Sequence, residues 1–272
     1  MIDEVTEIIE RQNIVNELAN SWNQSGIDKG DTVMVHSSLS GFLKKYKSRG
    51  MDLTPEDVLN SFIASVGDKG TLIFPTFNFD FAKGKVFDIR NTKSETGALS
   101  EAARNRRDSV RTGHPMFSFA VIGFHIDKFR DLYNYNAFGK ESPFAKLLEL
   151  DGKIAVLDVP GEICMTFHHY VEEMENAPNR FHKTFKGRYI DHDGNENEKE
   201  FNVYSRILED GVVTDIKQMV DHIRSKGLFT GSPPGEGSCL NVIKAKKVYE
   251  EVSKVIRAGK ALGMLYRIEK NS

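Results

Sequence analysis

Four short apolar runs separated by helical patterns constrain this 272-residue chain more than any other feature. The runs lie at residues 32–35, 70–74, 117–122 and 152–159, and each has the length of one β-strand. They are nearly continuous in apolar residues, which is typical of strands that are covered on both faces. Strands of this kind alternating with helices predict an α/β fold with a central, largely buried sheet flanked by helices.

The helices between these runs are marked by their start signals. Residues 5–22 carry apolar side chains at spacings of three and four, which predicts a first helix with one apolar stripe. Thr54 followed by Pro55 predicts a second helix that ends at Gly67, because a hydroxyl caps the first turn and proline fits the first helical position. Further helices are predicted from residue 96, from residue 142, and over 164–175, 214–226 and 241–258.

One segment, residues 185–207, departs from this pattern. Apolar and polar residues alternate on both sides of Asp193–Gly194, a pair that favours a tight turn. We therefore expect an antiparallel hairpin inserted at the sheet edge. No internal repeat, low-complexity tract or long linker interrupts the chain, so we expect a single domain over residues 1–272.

Charge and composition exclude several classes of protein. The chain has 37 Lys and Arg residues against 39 Asp and Glu, a formal net charge of -2, which gives no general attraction to nucleic acid or anionic membranes. No apolar run approaches the roughly 20 residues of a membrane helix. The two cysteines, Cys164 and Cys239, form no disulfide framework, and the N-terminal segment lacks the pattern of a signal peptide. We expect a cytoplasmic protein that binds neither nucleic acid nor membrane.

Polar residues cluster where the predicted strands end. His36, Ser37 and Ser38 follow the first run, Thr76 follows the second, and residues 114–119 overlap the third. Ligands of open α/β sheets bind beyond the carboxyl ends of the strands, so these segments are candidates for a binding site. A turn such as 36–38 either binds phosphate through its amides or is an ordinary serine-rich turn. The glycine patterns of a P-loop and of a dinucleotide-binding fold are absent from the sequence.

Residues 166–173 contain the strongest candidate for chemistry. His169 and Glu172 lie three residues apart and share one face of a predicted helix. A carboxylate bound to one ring nitrogen leaves the other nitrogen as a general base. The same spacing also occurs in ordinary capped helices with a buried aromatic side. A metal site is the weaker interpretation, because the adjacent His168 is expected to project from a different helix face.

Two nucleophilic alternatives remain open at this point. A hydrolase would use Ser37, Ser38 or Ser118 with a histidine, although the chain contains no G-x-S-x-G elbow. Cys164, five residues before His169, would supply a thiol instead, but lone buried cysteines are more often structural.

Taken in order, these segments resemble the aminoglycoside 3-N-acetyltransferase family. The similarity covers nearly the whole chain, and six ordered blocks at family-like spacing are far more specific than any one of them. The blocks are GDTVMVHSSL at 30–39, GTLIFPTF at 70–77, TGALSEA at 96–102, HPxxSFA at 114–120, SPFxKL leading into LDGK at 142–153, and TFHHYVE at 166–172.

The resemblance implies an α/β fold distinct from that of the common small acetyltransferases. It implies transfer of an acetyl or larger acyl group from coenzyme A to an amine of an amino sugar, without a metal. His169 would be the base that takes the proton of the acceptor amine, oriented by Glu172. The residues implied to bind coenzyme A are His36, Ser37, Ser38, Thr76, Thr96, Gly97, His114, Ser118 and Phe119.

Charge argues for an acceptor other than an antibiotic. An aminoglycoside is a polycation, and a site for it should carry surplus carboxylate. The net charge of -2, with Lys183, Lys186 and Arg188 in or near the predicted hairpin, favours a neutral or anionic amino sugar. We therefore expect a nucleotide-linked amino sugar of surface polysaccharide assembly, with an aminoglycoside as the alternative and a Ser/His hydrolase as a more distant one. The acyl length and the oligomeric state, with a homodimer as one option, are left open by the sequence.

Overall fold

The structure, a computed structural model, describes residues 4–269. It does not describe the side chains of residues 4–7, 163 and 164, so the predicted alternative with the Cys164 thiol lies outside the described residues. The helices are α1 (Glu4–Gln24), α2 (Leu39–Lys47), α3 (Pro55–Val66), α4 (Ala98–Asn105), α5 (Pro143–Glu149), α6 (Gly161–Cys164), α7 (Phe167–Met174), α8 (Lys217–Ser225) and α9 (Ala245–Arg257). The strands are β1 (Thr32–Ser37), β2 (Thr71–Pro75), β3 (Phe87–Asp88), β4 (Val110–Arg111), β5 (Phe119–Gly123), β6 (Lys153–Leu157), β7 (Arg180–Ile190), β8 (Glu196–Arg206), β9 (Val212–Thr214), β10 (Thr230–Gly231), β11 (Leu240–Lys244) and β12 (Tyr266–Ile268). Within residues 4–269, no helix combines the length and the apolar character needed to cross a membrane.

Seven of the described strands form the central sheet, in the order β10-β11-β6-β1-β2-β5-β4. β1 runs parallel to both of its neighbours, with Val33 opposite Leu72 of β2 and Lys153 of β6. The strands outside this parallel centre pair antiparallel. The central strands are buried almost throughout, which confirms the predicted α/β fold. Because β1, β2 and β6 are parallel, their carboxyl ends meet at one edge of the sheet.

Helices cover both faces of this sheet and form two apolar cores. On one face, Trp22 of α1 is fully buried, stacks on Phe62 of α3 at 5.1 Å and donates a hydrogen bond to Ser61 Oγ at 2.7 Å. On the other face, Phe144 of α5 packs against Phe167 of α7 at 6.3 Å. The second core holds α7 against the sheet, which fixes the position of the candidate site described below.

The predicted helix starts at residues 54 and 142 are confirmed. Thr54 and Asp57 form a reciprocal capping box at the start of α3, and Gly67 ends that helix with a φ of 65°. Ser142 caps α5 by accepting a hydrogen bond from the Ala145 amide, and proline occupies the first helical position.

The predicted hairpin is longer than residues 185–207 and does not extend the central sheet. β7 and β8 pair from Arg180 opposite Arg206 to Ile190 opposite Glu196, and β3 joins β7 to form a separate three-stranded sheet. The connection is a five-residue loop, because Asp191 accepts the amides of residues 193 and 195 and so widens the turn.

The predicted helix over 241–258 is wrong in its first four residues. They belong to β11, which pairs antiparallel with β6, for example Val242 opposite Ala155. A five-residue segment with three apolar residues next to a helix looks like the start of that helix, and only the pairing with β6, distant in sequence, makes it a strand.

Candidate active site

The carboxyl ends of β1 and β2 border a cavity of about 720 Å³, which we call the strand-end cavity. Five of the predicted site residues line it, and apolar side chains including Phe77 and Phe79 supply much of the remaining wall. The five are His36, Ser37, Ser38, Thr96 and Gly97. The structure therefore brings together, from two segments some sixty residues apart, five of the nine residues predicted to bind coenzyme A.

Three helix N-termini meet at the strand-end cavity without side-chain caps. Ser38 precedes α2, Gly97 precedes α4 and Thr166 precedes α7; all three line the cavity, and none of their side chains caps its helix. The first amides of an uncapped helix are free donors at the positive end of the helix dipole. The cavity therefore combines an apolar wall with backbone donors suited to an anionic group.

Two buried polar atoms of this cavity have no hydrogen-bond partner among the described residues. They are Nε2 of His36 and Oγ1 of Thr166. Burial lowers the pKa of His36 to about 4, so its ring is neutral near pH 7. Buried polar groups are normally paired, which makes both atoms candidates for contact with a bound ligand.

Thr76 and Ser118 are placed behind the cavity wall. Both are fully buried, and their hydroxyls lie 3.0 Å apart. Ser118 Oγ also accepts a hydrogen bond from Nε of the buried Arg111 at 3.0 Å. Neither hydroxyl lines the strand-end cavity, and within residues 4–269 no hydrogen bond joins Ser37, Ser38 or Ser118 to a histidine. The geometry therefore offers no Ser/His nucleophile pair.

His114 and Phe119 are also core residues. His114 accepts the amides of Met116 and Phe117 at Nδ1 and donates from Nε2 to the Asn202 carbonyl at 3.3 Å. Burial lowers its pKa to about 3. The ring of Phe119 is fully buried in the apolar core. These two residues hold the wall of the site in place rather than facing a ligand.

His169 and Glu172 form a hydrogen-bonded pair on α7. His169 Nδ1 lies 2.7 Å from Glu172 Oε2. Glu172 is completely buried, and its carboxylate also contacts Nε of Arg180 at 2.8 Å and Nδ2 of Asn179 at 3.2 Å. Since Nδ1–H donates its hydrogen bond to the carboxylate, Nε2 of His169 is the nitrogen left to accept another proton.

The charges around this pair keep the imidazole neutral and the carboxylate ionised. Burial lowers the pKa of His169, and the Arg180 guanidinium lowers it further, while Glu172 opposes both. Burial by itself raises the pKa of Glu172, but Arg180 and the hydrogen bond to His169 outweigh it, so the pKa of Glu172 is lowered. At neutral pH the pair is an unprotonated base beside a fixed anion.

His168 is buried and bonded to the backbone, as is typical of a histidine with a structural role. It is 5% exposed, its Nδ1 donates to the Met165 carbonyl, and burial followed by the neighbouring His169 lowers its pKa to about 3. Ligand atoms of His168, His169 and Glu172 do lie within 4.8 Å of one another, closer than expected for residues on different helix faces. Arg180 already supplies the positive charge beside Glu172, so the electrostatics disfavour a metal cation there.

A cavity of about 310 Å³, the His169 cavity, lies on the other side of a phenylalanine cluster from the strand-end cavity. Phe117 packs 5.0 Å from Phe77 and 5.5 Å from Phe79, which line the strand-end cavity. It also packs 4.7 Å from Phe138, whose ring is 5.3 Å from that of His169. One phenylalanine layer therefore separates the candidate base from the predicted coenzyme A region.

Arg180 and Phe117 are site residues that the sequence did not predict. Arg180 begins β7 and reaches Glu172 only because the hairpin folds back onto α7. Phe117 lies within the family block at 114–120, where the sequence predicted the start of a strand. The only local signal was the apolar character of Phe117 next to polar neighbours, which is too common to identify a site.

Comparison with known proteins identifies the family of this chain. The sequence model for aminoglycoside 3-N-acetyltransferase matches residues 34–257. The chain belongs to this family. It is 28% identical over 196 residues to aminoglycoside N(3)-acetyltransferase VII of Streptomyces paromomycinus, covering 65% of this chain and 63% of that protein. It is 27% identical over 169 residues to the type IV enzyme of Salmonella sp., covering 60% and 59%. The chain therefore matches about three-fifths of the length of these relatives.

Solved structures share the fold of this member of the aminoglycoside 3-N-acetyltransferase family. Aminoglycoside acetyltransferase AAC(3)-Xa superposes with a TM-score of 0.74 at 22% identity, covering 94% of this chain and 96% of that one. AAC-IIIb in a binary complex with CoASH gives 0.75 at 19% identity, covering 90% and 96%. AAC-VIa bound to sisomicin gives 0.74 at 19% identity, covering 91% and 98%.

The positions of the basic residues do not support the expected nucleotide-linked acceptor. Two of the basic residues behind it, Lys186 and Arg188, are exposed on the hairpin and paired with Glu198 at 2.6 Å and Glu196 at 3.2 Å. Cations in exposed ion pairs contribute to the net charge of the chain but give little field in a distant cavity. None of the relatives named above is called an enzyme of nucleotide-linked sugars, and their names fit the alternative acceptor better.

Proposed function

We propose that this protein transfers the acetyl group of acetyl-CoA to an amino group of an aminoglycoside. The observation that carries the proposal is the His169–Glu172 pair. The ring of His169, with its free Nε2, lines the His169 cavity, and the larger strand-end cavity lies on the other side of Phe117. Membership of the family and the names of its relatives support an aminoglycoside as acceptor. The predicted cytoplasmic location and the homodimer option stay predictions.

Acetyl-CoA is assigned to the strand-end cavity. Its apolar wall suits the pantetheine arm, and the uncapped amides after Ser38 and Gly97 suit its phosphates. A cavity of about 720 Å³ falls in the range of sites for ligands of this size class. His36 Nε2 and Thr166 Oγ1 then find partners on the bound co-substrate.

The acceptor amine enters the His169 cavity as an ammonium ion. His169 Nε2 removes one proton, and Glu172 stabilises the imidazolium that forms. The acetyl end of the co-substrate reaches past Phe117 to the acceptor amine. The freed lone pair attacks the thioester carbonyl, a nitrogen–carbon bond forms, and the carbon–sulfur bond breaks. The attacking nitrogen gives up its second proton and the departing sulfur takes one up, so the products are an amide and free coenzyme A. His169 then releases its proton to solvent, which regenerates the base. Amides at the uncapped N-terminus of α7, which are not assigned to phosphate, stabilise the tetrahedral oxyanion, each contributing about 3–4 kcal/mol by analogy with other oxyanion sites.

Ser38→Asp tests the co-substrate site. The carboxylate would cap α2 and occupy the amides assigned to phosphate, so thermal stability should not fall while the KM for acetyl-CoA rises by about tenfold or more. Ser142→Asp is the matched control, because it makes the same substitution at the cap of α5, where the side chain already accepts the Ala145 amide and does not line the cavity. A KM for acetyl-CoA that is unchanged in Ser38→Asp contradicts the assignment.

Glu172→Gln tests the pair through the pH profile. Activity requires neutral His169, and because its pKa is lowered, the acidic limb of kcat should have its midpoint below pH 6.5. Glu172 acts to raise that pKa, so its neutralisation should move the limb to still lower pH, with kcat reduced about 10- to 100-fold. A limb that moves to higher pH would argue against His169 as the titrating base.

The acceptor is decided by steady-state assays of thiol release from acetyl-CoA. Sisomicin is expected to be acetylated efficiently and a nucleotide-linked amino sugar poorly. An anionic amino sugar is the second candidate, because Lys183 and Arg206 line the His169 cavity. Efficient turnover of the nucleotide-linked sugar with none of sisomicin would refute the aminoglycoside proposal and favour that candidate.

A further inference from the structure

A second polar cavity lies beside the end of α7 and has no part in the mechanism above. Its volume is about 450 Å³, and it is bordered by the loop 134–141, the end of α7 and His182 of β7. Its charged lining groups are Glu173, Glu141 and Lys140, together with His182 when protonated. We call it the Glu173 cavity.

Two buried oxygens of the Glu173 cavity lack a hydrogen-bond donor among the described residues. Glu173 is 7% exposed with Oε2 unpartnered, and Asn134 is 2% exposed with Oδ1 unpartnered. The orientation of the Asn134 amide is defined by its Nδ2, which donates to the Asn136 carbonyl at 2.8 Å. Leaving a buried acceptor without a donor is unfavourable, so both oxygens are suited to a donor that arrives with a ligand.

The chemistry of the lining selects a cation. Both free atoms are oxygens, and when Glu173 is ionised both can only accept hydrogen bonds, which favours a donor over an anion as their partner. Burial raises the pKa of Glu173, and His182 offsets this only in part. A positive charge in the cavity would stabilise the ionised carboxylate, and an ammonium group supplies both that charge and the donors that Glu173 and Asn134 lack.

We propose that the Glu173 cavity binds a second ammonium group of the acceptor, distinct from the one that is acetylated. This rests on the proposed function. Glu173 follows His169 by four residues on α7, so both side chains lie on one helix face. Phe138 lines the His169 cavity and its neighbour Gly139 lines the Glu173 cavity, so the two adjoin along one loop. The arrangement selects polyamines over monoamines.

The first test is binding without catalysis, by calorimetric titration with 1,4-diaminobutane. We expect the wild type to bind the diamine, and Glu173→Gln to bind it about 10- to 100-fold more weakly, because a charge-assisted hydrogen bond is lost without a change of shape. Glu141→Gln is the matched control: Glu141 lines the same cavity but is exposed, so a loss of no more than about threefold is expected.

Absence of diamine binding in the wild type, or equal binding by the wild type and Glu173→Gln, overturns the subsite. An equal loss in Glu141→Gln also overturns it, because general charge rather than the buried carboxylate would then be responsible. Failure of the proposed function gives a different result, namely no acetylation of sisomicin whatever the diamine titration shows. Where sisomicin is acetylated, Glu173→Gln should raise the KM for sisomicin and leave kcat and the KM for acetyl-CoA unchanged.

Discussion

Replacing His169 with Asn is expected to lower kcat for acetyl transfer by about 10²- to 10⁴-fold, the usual contribution of a positioned general base. Asn keeps a polar group near Glu172 but cannot take a proton from the acceptor amine. Because His169 lies across the phenylalanine layer from the strand-end cavity, the KM for acetyl-CoA should change little. The measurement is steady-state thiol release with sisomicin at saturating acetyl-CoA.

His168→Gln is the control for this result, since the two histidines are adjacent and their rings lie 4.1 Å apart. His168 is buried and bonded to a backbone carbonyl, so its replacement should lower stability but leave kcat within a few-fold. A His169→Asn variant that keeps near wild-type kcat, or a His168→Gln variant that loses more, would show that the base is wrongly assigned.

Acid is expected to unfold the protein steeply, because three buried histidines must stay neutral in the folded state. Burial lowers the pKa of His36 to about 4 and the pKa values of His114 and His168 to about 3. Below the ordinary value of 6.5 the unfolded chain binds these protons and the folded chain does not, so the free energy of unfolding falls as pH falls. Three protons correspond to a slope of up to about 4 kcal/mol per pH unit between about pH 6 and pH 4.

Urea unfolding followed by circular dichroism at several pH values measures this slope. His36→Gln removes one of the three groups and should reduce the slope by about a third. Near neutral pH the substitution should lower stability by less than the wild type loses in acid. A free energy of unfolding that is flat between pH 6.5 and pH 5, or a slope unaffected by His36→Gln, would contradict the account.

Much of the fold is predictable from local patterns in this chain. The starts of α3 and α5 follow from Thr54 and Ser142, because capping is decided within one helical turn. The central strands follow from continuous apolar runs. By contrast, β11 and the separate hairpin sheet depend on partners distant in sequence, such as Ala155 opposite Val242. No pattern within a few residues carries that information.

The candidate site divides in the same way. His36, Ser37 and Ser38, predicted from a strand end, line the strand-end cavity because strand ends converge in a parallel sheet. Thr96 and Gly97, which the family resemblance implied, line the same cavity at the start of α4. The His169–Glu172 contact follows from helical spacing. The ion pair of Arg180 with Glu172 depends on the hairpin folding back to α7. Whether a polar residue faces the cavity, as Ser37 does, or the core, as Ser118 does, depends on tertiary packing that spacing does not encode.

The central claim is that one base on α7 acts between two cavities, and a crystal structure with coenzyme A and sisomicin tests it most directly. We expect the coenzyme A sulfur in the strand-end cavity near Phe117, its phosphates at the N-termini of α2 and α4, and one sisomicin amine within about 3 Å of His169 Nε2. Sisomicin bound with no amine near His169, or coenzyme A outside the strand-end cavity, would contradict the account.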